Sequence, residues 1–349
     1  MDYDEQAEAE AIVGEGLRRL GWPEGGVAGV ETLHGGISGA RAYRIRFDDG
    51  RELVLKARLP DADADSHAGA AREAEFYRRL AARLPVRTPR IHGVEHGPAV
   101  GVWMVMESLR PAPSPAACSA AHFARVAEDL GRLHAAFWGR AAELDACEFL
   151  IRRPIAVSDD ELAHARASWA HVREEPRFAP VWTEARVRFI EAAIATTPEA
   201  QRHLAALPET LIQGDCHIGN ILLDAAGALV WADWQGAAIG RGPADLSFLY
   251  QRADVAGATV DLEALLAAYH RGLSGALGED IPIDALRRAA LASEWTVRLL
   301  EWPHYLDYAT PESLAAFMDR LDALAAALSI DLPPVAPDGV RGLRPHVSR

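Results

Sequence analysis

The sequence predicts an α+β chain in two lobes: a small N-terminal lobe with an antiparallel sheet and a helix, and a larger, mainly helical C-terminal lobe. Three observations predict it. Short strand-forming runs separated by glycine turns crowd residues 27–107, helical periodicity dominates after residue 119, and residues 210–245 alternate brief apolar runs with Gly and Asp turns, the pattern of a hairpin platform. With 349 residues, half of them hydrophobic, the chain can bury a core in each lobe. The expected divisions are 1–108, 109–330 and a Pro- and Arg-rich tail, 331–349, that should fray.

The first element, 5–20, spaces Ala9, Ile12, Val13, Leu17 and Leu20 as one face of a helix, and Gly21-Trp22-Pro23 stops it. Strands follow at 27–33, 42–47 and 52–57, the last two joined by Asp48-Asp49-Gly50, a hairpin signal. Between the first two lies HGGISGA, residues 34–40, whose glycines could fold main-chain N–H groups over phosphates or could equally form a plain flexible turn. Lys56 interrupts the apolar strand LVLKA. A lysine there is costly to bury without a partner, unless it reaches solvent from an edge. Residues 68–83 read as a helix with Phe76, Leu80 and Leu84 on one stripe, offering Glu73 and Glu75 as that partner. Two further strands, 90–95 and 101–107, surround the His96-Gly97-Pro98 turn, and PAPSPAA, 111–117, reads as a linker.

Beyond the linker, Ser119 caps a helix over 120–137, in which His134 reads as a packed core histidine. Helices are expected at 159–173 and 181–195, then, after the hairpin platform, near 246–252, 261–273, 283–302 and 311–328.

Charge and cysteines narrow the function. A formal net charge of −14 disfavours nucleic-acid binding, which rests on Lys and Arg neutralising phosphates. Cys118, Cys147 and Cys216 are too few and scattered for a disulfide framework or a zinc site, and fit a reduced cytoplasm. Cys216 reads as a small packed side chain rather than a nucleophile. The acidic N-terminus lacks the basic start of a signal peptide, and no apolar run is long enough to span a membrane.

The chemistry concentrates in LIQGDCHIGNILLDAAGALVWADWQGAAIGRGPAD, residues 211–245. Asp215 and Asn220 flank a tight turn five positions apart, and Asp233 ends the second short strand. A hard cation such as Mg²⁺ takes oxygen ligands and is commonly held by one or two protein groups together with substrate phosphates, a task suited to Asn220 and Asp233. Asp215 is then left to accept a proton from, or to orient, a hydroxyl. Protein kinases divide the labour in this way.

The order GDCHIGN, strand, turn, strand, ADWQG resembles the aminoglycoside phosphotransferase and choline kinase branch of the kinase-like superfamily, and in motif style its ecdysteroid-kinase-like bacterial members. The resemblance implies a bilobal protein-kinase-like fold that binds ATP (or GTP) with Mg²⁺. It places Gly35, Gly36, Ser38 and Gly39 over the nucleotide phosphates and Lys56 on the α and β phosphates, oriented by Glu73 with Glu75 in reserve. Main-chain groups near Glu107 and Leu109 would hold the base, Asn220 and Asp233 the metal, and Asp215 the acceptor. One departure stands out: the family usually has His two residues before the Asp, where this chain has Gln213. An amide can still brace the loop, and His217 also reads as a brace.

Only eleven residues separate Asp233 from Asp245, too few for a peptide-docking segment, so a small-molecule hydroxyl is the expected acceptor. Trp169 and Trp182 on one side, with Glu294, Trp295, Glu301, Trp302 and Asp307 on the other, are candidate acceptor-lining residues. The expected function is γ-phosphate transfer to an amino sugar antibiotic, nucleoside, sugar or amino alcohol. A nucleotide-binding scaffold with little transfer activity remains the alternative, and neither oligomeric state nor a resistance role is readable.

Overall fold

The computed structural model describes residues 3–22, 25–33 and 41–333. It divides into two compact units, one within Met1–Arg153 and Glu209–Asp280, the other within Pro154–Pro208 and Ile281–Arg349.

The first unit opens with helix α1 (Tyr3–Arg19) and strands β1 (Val27–Thr32), β2 (Arg41–Phe47) and β3 (Glu52–Arg58), followed by helix α2 (Ala64–Arg79) and strands β4 (Ile91–Gly97) and β5 (Gly101–Glu107). These strands form one antiparallel sheet in the order β1-β2-β3-β5-β4. Strand alternation sends Leu53, Leu55 and Ala57 of β3 and Trp103 and Val105 of β5 to one face, where Ala9, Ile12, Val13 and Leu17 of α1 cover them. On the other face Val102, Met104 and Met106 pack with Ala70 and Ala74 of α2. Lys56 belongs by alternation to that second face. The helix that covers it must therefore answer its charge.

Strand β6 (Arg110–Pro111) follows, then helix α3 (Ala120–Ala135) and strand β7 (Ile151–Arg152). The linker expected from residue 111 thus begins with a strand residue. Proline is tolerated because β6 is the edge of a small sheet, β10-β9-β6, with β9 (Ile221–Leu223) and β10 (Leu229–Trp231). A third sheet, β7-β11-β8, joins β7 to β8 (Thr210–Ile212) and β11 (Ala238–Gly240), and the unit closes with helices α6 (Gly242–Val255) and α7 (Leu262–Leu277).

Helices α3 and α7 cross at backbone contact. A Cβ at Gly272 would lie 2.0 Å from the Glu128 carbonyl oxygen, and one at Gly131 2.3 Å from that of Tyr269. Gly272→Ala gains about 1 kcal/mol of helix propensity, but the clash is with main chain that cannot rotate aside, and overpacking costs about 1–3 kcal/mol. We expect net destabilisation, visible as a lower urea midpoint; an unchanged or higher midpoint would show that the crossing relaxes freely.

The second unit consists of helices α4 (Asp159–Glu174), α5 (Glu184–Ala205), α8 (Ile283–Leu300) and α9 (Pro311–Leu328), with a 3₁₀ turn, Trp302–Tyr308, between the last two. Helix α5 runs ten residues past its expected end, carrying Pro198 inside it. An interior proline forfeits one main-chain hydrogen bond. Burial of Ile194, Thr197, Ala200, Gln201 and Leu204, with Gln201 Nε2 donating to Thr296 Oγ1 of α8 at 2.6 Å, sustains the helix through it. Among the described residues no helix is long and apolar enough to cross a membrane.

Candidate functional site

The site is built in the first unit, on β3, α2 and the short-strand platform. Lys56 Nζ lies 2.6 Å from Glu73 Oε2 and 3.2 Å from Asp233 Oδ1. Glu73 is only 1% exposed, whereas Glu75, two residues along the helix, turns to His96 at 2.8 Å and Arg78 at 3.1 Å. Burial works against the Lys56 charge, but the two carboxylates outweigh it and hold the ammonium above its ordinary value. Burial pushes the Glu73 carboxyl up, and the neighbouring Asp233 charge adds to this; Lys56 offsets the rise in part.

Asp233, two residues beyond the end of β10, has φ of +55°, a left-handed conformation that Asp adopts more readily than most residues but at some cost. Three contacts hold it there. Lys56 binds its carboxylate, and Gln213 Nε2 donates to its carbonyl at 2.8 Å. The next residue, Trp234, is fully buried, its ring stacked on Phe76 of α2 with centroids 4.0 Å apart and its Nε1 donating to the Trp231 carbonyl.

Asp215 and Asn220 flank the turn after β8. Asn220 Nδ2 donates to the Asp215 carbonyl at 2.9 Å and to its carboxylate at 3.1 Å, which leaves the amide oxygen of Asn220 free to face a cation. The Asn220 carbonyl accepts from the Ala232 N–H at 3.0 Å, fixing this turn beside Asp233. Gln213, in the position usually held by His, is buried and bridges both halves: its Oε1 accepts from the Asp215 N–H at 2.8 Å while its Nε2 holds the Asp233 carbonyl. An amide has both a donor and an acceptor at its tip, so one neutral side chain makes both bonds. His217 Nδ1 accepts from Gly219 N–H at 3.0 Å, which ties its ring to the turn. Gly214 has φ of +81°, and a Cβ there would lie 2.0 Å from the Gly236 carbonyl oxygen, so only glycine permits this approach of the two loops.

Beneath the platform Asp245 of α6 accepts from the main-chain N–H of Gln213 at 2.7 Å and of Gly214 at 3.0 Å. His134 Nε2 lies 3.3 Å from Asp245, and His134 Nδ1 is 2.9 Å from the hydroxyl of Tyr269. His134 is therefore packed, as its helical setting suggests, and also part of a buried polar chain. Tyr269 was not legible in the sequence as a member; its only signal is a polar tip on an apolar helix face. Cys216 is fully buried, and burial together with the nearby Asp245 and Asp215 charges pushes its thiol well above its usual range, which disfavours a thiolate.

The remaining sequence candidates are placed less centrally. The N–H of Glu107 is already donated to the Arg90 carbonyl and its carboxylate is held by Arg87 at 2.8 Å. Leu109 is half-buried between β5 and β6. Gly35, Gly36, Ser38 and Gly39 lie outside the described residues. In the second unit Trp295 is fully buried and Glu294, 1% exposed, is clamped by Arg298 and Arg320, so neither lines an open surface; both belong to helix packing. Trp169 and Trp182 do line a cavity there.

Residues 29–279 match the model of a family described as the phosphotransferase enzyme family. The chain belongs to that family. Several solved structures share the fold of this phosphotransferase. The GDP complex of wild-type aminoglycoside 2'-phosphotransferase-IIIa matches with a TM-score of 0.60 at 13% identity, over 91% of this chain and 98% of that one. Macrolide 2'-phosphotransferase MphH from Brachybacterium faecium, as apoenzyme, matches with a TM-score of 0.53 at 21% identity, over 92% and 99%. Amicoumacin kinase hAmiN in complex with AMP-PNP, Ca²⁺ and Ami matches with a TM-score of 0.56 at 13% identity, over 84% and 88%. At these identities the likeness is one of fold. Among curated proteins none matches the sequence of the phosphotransferase significantly. Its α+β architecture, with an antiparallel N-terminal sheet, is the one shared with these solved phosphotransferases.

The Gln213 bridge carries its own prediction. Gln213→Leu removes both bonds without adding charge, and we expect kcat to fall roughly tenfold to a hundredfold, the scale of misplacing a reacting group by about 1 Å. Gln213→His, which restores a ring donor, should recover most of it. Equal loss in both variants, measured by steady-state turnover, would reduce Gln213 to a packing residue.

Proposed function

We propose that this kinase transfers the γ-phosphate of ATP or GTP to a hydroxyl of a small molecule, with Mg²⁺. The observation that carries the reading is the Lys56 ammonium held between Glu73 and Asp233. Lys56 would neutralise nucleotide phosphates while Glu73 fixes its position. The 34–40 glycine loop would cover those phosphates, and main-chain groups near Glu107 and Leu109 would hold the base.

The donor set fits the metal. Asp233 and Asn220 offer hard oxygen donors, and among the described residues no cluster of three His, Cys, Asp or Glu side chains forms an all-protein cage. Mg²⁺ takes one or two protein groups of this kind and completes its shell with phosphates and water. When bound it would neutralise charge between the nucleotide phosphates. Asp215, held by Gln213 and Asn220, would orient the acceptor hydroxyl and take its proton. That the nucleotide-bound neighbours carry GDP or AMP-PNP supports a nucleotide site, and their kanamycin and amicoumacin ligands support a small-molecule acceptor.

The test is consumption of ATP and of GTP, with Mg²⁺, across aminoglycosides, macrolides, nucleosides, sugars and amino alcohols. Phosphorylated product with one acceptor class supports the reading. Tight nucleotide binding with no transfer to any of them would favour the scaffold alternative. Fractionation would test the cytoplasmic placement.

A further inference from the structure

The second unit contains a cavity among its own helices. It measures about 300 Å³ and lies between α4 and α5, lined on one wall by Arg166, Trp169 and Arg173 of α4 and on the other by Ile190, Glu191 and Ile194 of α5, with Trp182 from the segment between. Small-molecule sites begin at about this size and pair an apolar lining with a few polar groups.

The aromatic corner is preset. The Trp169 and Trp182 rings meet edge to face, with centroids 6.2 Å apart and planes at 86°. Trp169 is fixed by donating its Nε1 to the Leu299 carbonyl at 2.9 Å. Ile190 and Ile194 close the floor and are almost fully buried. Two indoles at right angles accept a flat ring, one face stacked and one edge abutting.

The charges are unspent. Several arginines elsewhere in this unit are paired: Arg298 and Arg320 converge on Glu294, and Arg186 reaches Asp319. Arg166 and Arg173, two helical turns apart on the same face of α4, have neither a hydrogen bond nor an ion pair among the described residues, and neither does Glu191 opposite. Two cations against one carboxylate leave the mouth net positive. Guanidinium groups suit a carboxylate or phosphate, and Glu191 can accept an N–H or O–H from the same molecule.

We infer that this cavity binds a flat, apolar organic anion, an aromatic body bearing one acidic group and one hydrogen-bond donor. The chemistry is the reverse of that which would hold a polycationic amino sugar. The inference concerns the second unit alone and stands whichever acceptor the phosphoryl site takes.

Three nearly isosteric probes test it by calorimetry on the full chain: indole-3-acetate, tryptophol and tryptamine, which carry negative, neutral and positive side arms on one ring. Indole-3-acetate should bind saturably and roughly tenfold tighter than tryptamine, the scale of one charge-assisted hydrogen bond at a partly exposed site. Arg166→Gln with Arg173→Gln should erase that preference while unfolding temperature holds, since both side chains are exposed. Ala170→Phe, which fills the cavity from α4, should abolish binding of all three. Absence of saturable binding, a preference for tryptamine, or an anion preference unchanged in the double variant would each overturn the inference.

Discussion

Asp215→Ala is expected to remove nearly all phosphoryl transfer, a fall of roughly 10²–10⁴-fold in kcat, while nucleotide still binds. The two halves of that result follow from different contacts. The Asp215 carboxylate meets Asn220 Nδ2 at 3.1 Å and approaches His217 at 3.6 Å, but touches neither Lys56 nor Glu73. Truncating it leaves the Lys56, Glu73 and Asp233 cluster in place. Its backbone position does not depend on the carboxylate either, because the Asp215 N–H is held by Gln213. Transfer should therefore fail without a large change in nucleotide affinity, measured by titration with a fluorescent nucleotide. Asp215→Asn separates two roles: it retains a hydrogen-bonding tip but cannot accept a proton. If Asn restores turnover, orientation dominates; if turnover in the Ala variant matches wild type, Asp215 has no part in the reaction.

How much of this was legible beforehand depends on the range over which each feature is encoded. A lysine inside an apolar strand is a local signal, and LVLKA alone was enough to show that Lys56 needs a partner or an edge. The choice between Glu73 and Glu75 is not local. Two residues along a helix are about 200° apart, so one faces the sheet and the other does not, and which one depends on how α2 docks. Counted back from the apolar stripe, the family resemblance favoured Glu73 with Glu75 in reserve, and Glu73 is the residue found beside Lys56. The helix expected to end at 195 runs on through Pro198 to Ala205, because α8 packs alongside and sustains the turns beyond the proline. Strands β7 and β11 are two and three residues long, too short to show periodicity, and they form only through pairing, β11 with β8 on one side and with β7 on the other. The chain from Tyr269 through His134 to Asp245 joins residues more than a hundred positions apart, and nothing in their local sequence announces it. The motif in 211–245 was legible because its residues are close in sequence and separated by turns whose geometry is narrow.

Lys56→Met should cost both transfer and stability, and the stability loss identifies its cause. Methionine keeps the length of the stem and removes the charge, leaving Glu73 buried beside Asp233 without a cation. Breaking a buried pair on one side typically costs about 3 kcal/mol or more, because the remaining carboxylate stays desolvated. The pH dependence has a definite sign. Burial already raises the Glu73 carboxyl, and Lys56 is the charge that opposes this, so the variant's Glu73 should rise further. A carboxyl raised on folding favours the protonated form: its contribution to stability is fully present below its unfolded value and is lost as pH climbs through its folded value. The deficit of Lys56→Met against wild type, measured by urea unfolding, should thus be largest near neutrality and shrink on acidification. Lys56 in the wild type, itself raised by its two partners, stays charged across that whole window. Replacing the orphaned acid as well, in Lys56→Met with Glu73→Leu, should recover most of the stability, since a well-packed apolar pair tolerates burial better than a lone charge. It should recover none of the transfer, because no cation is left to meet the phosphates. A double variant as unstable as the single one, or a deficit that grows in acid, would mean that the charge on Lys56 is not what Glu73 requires.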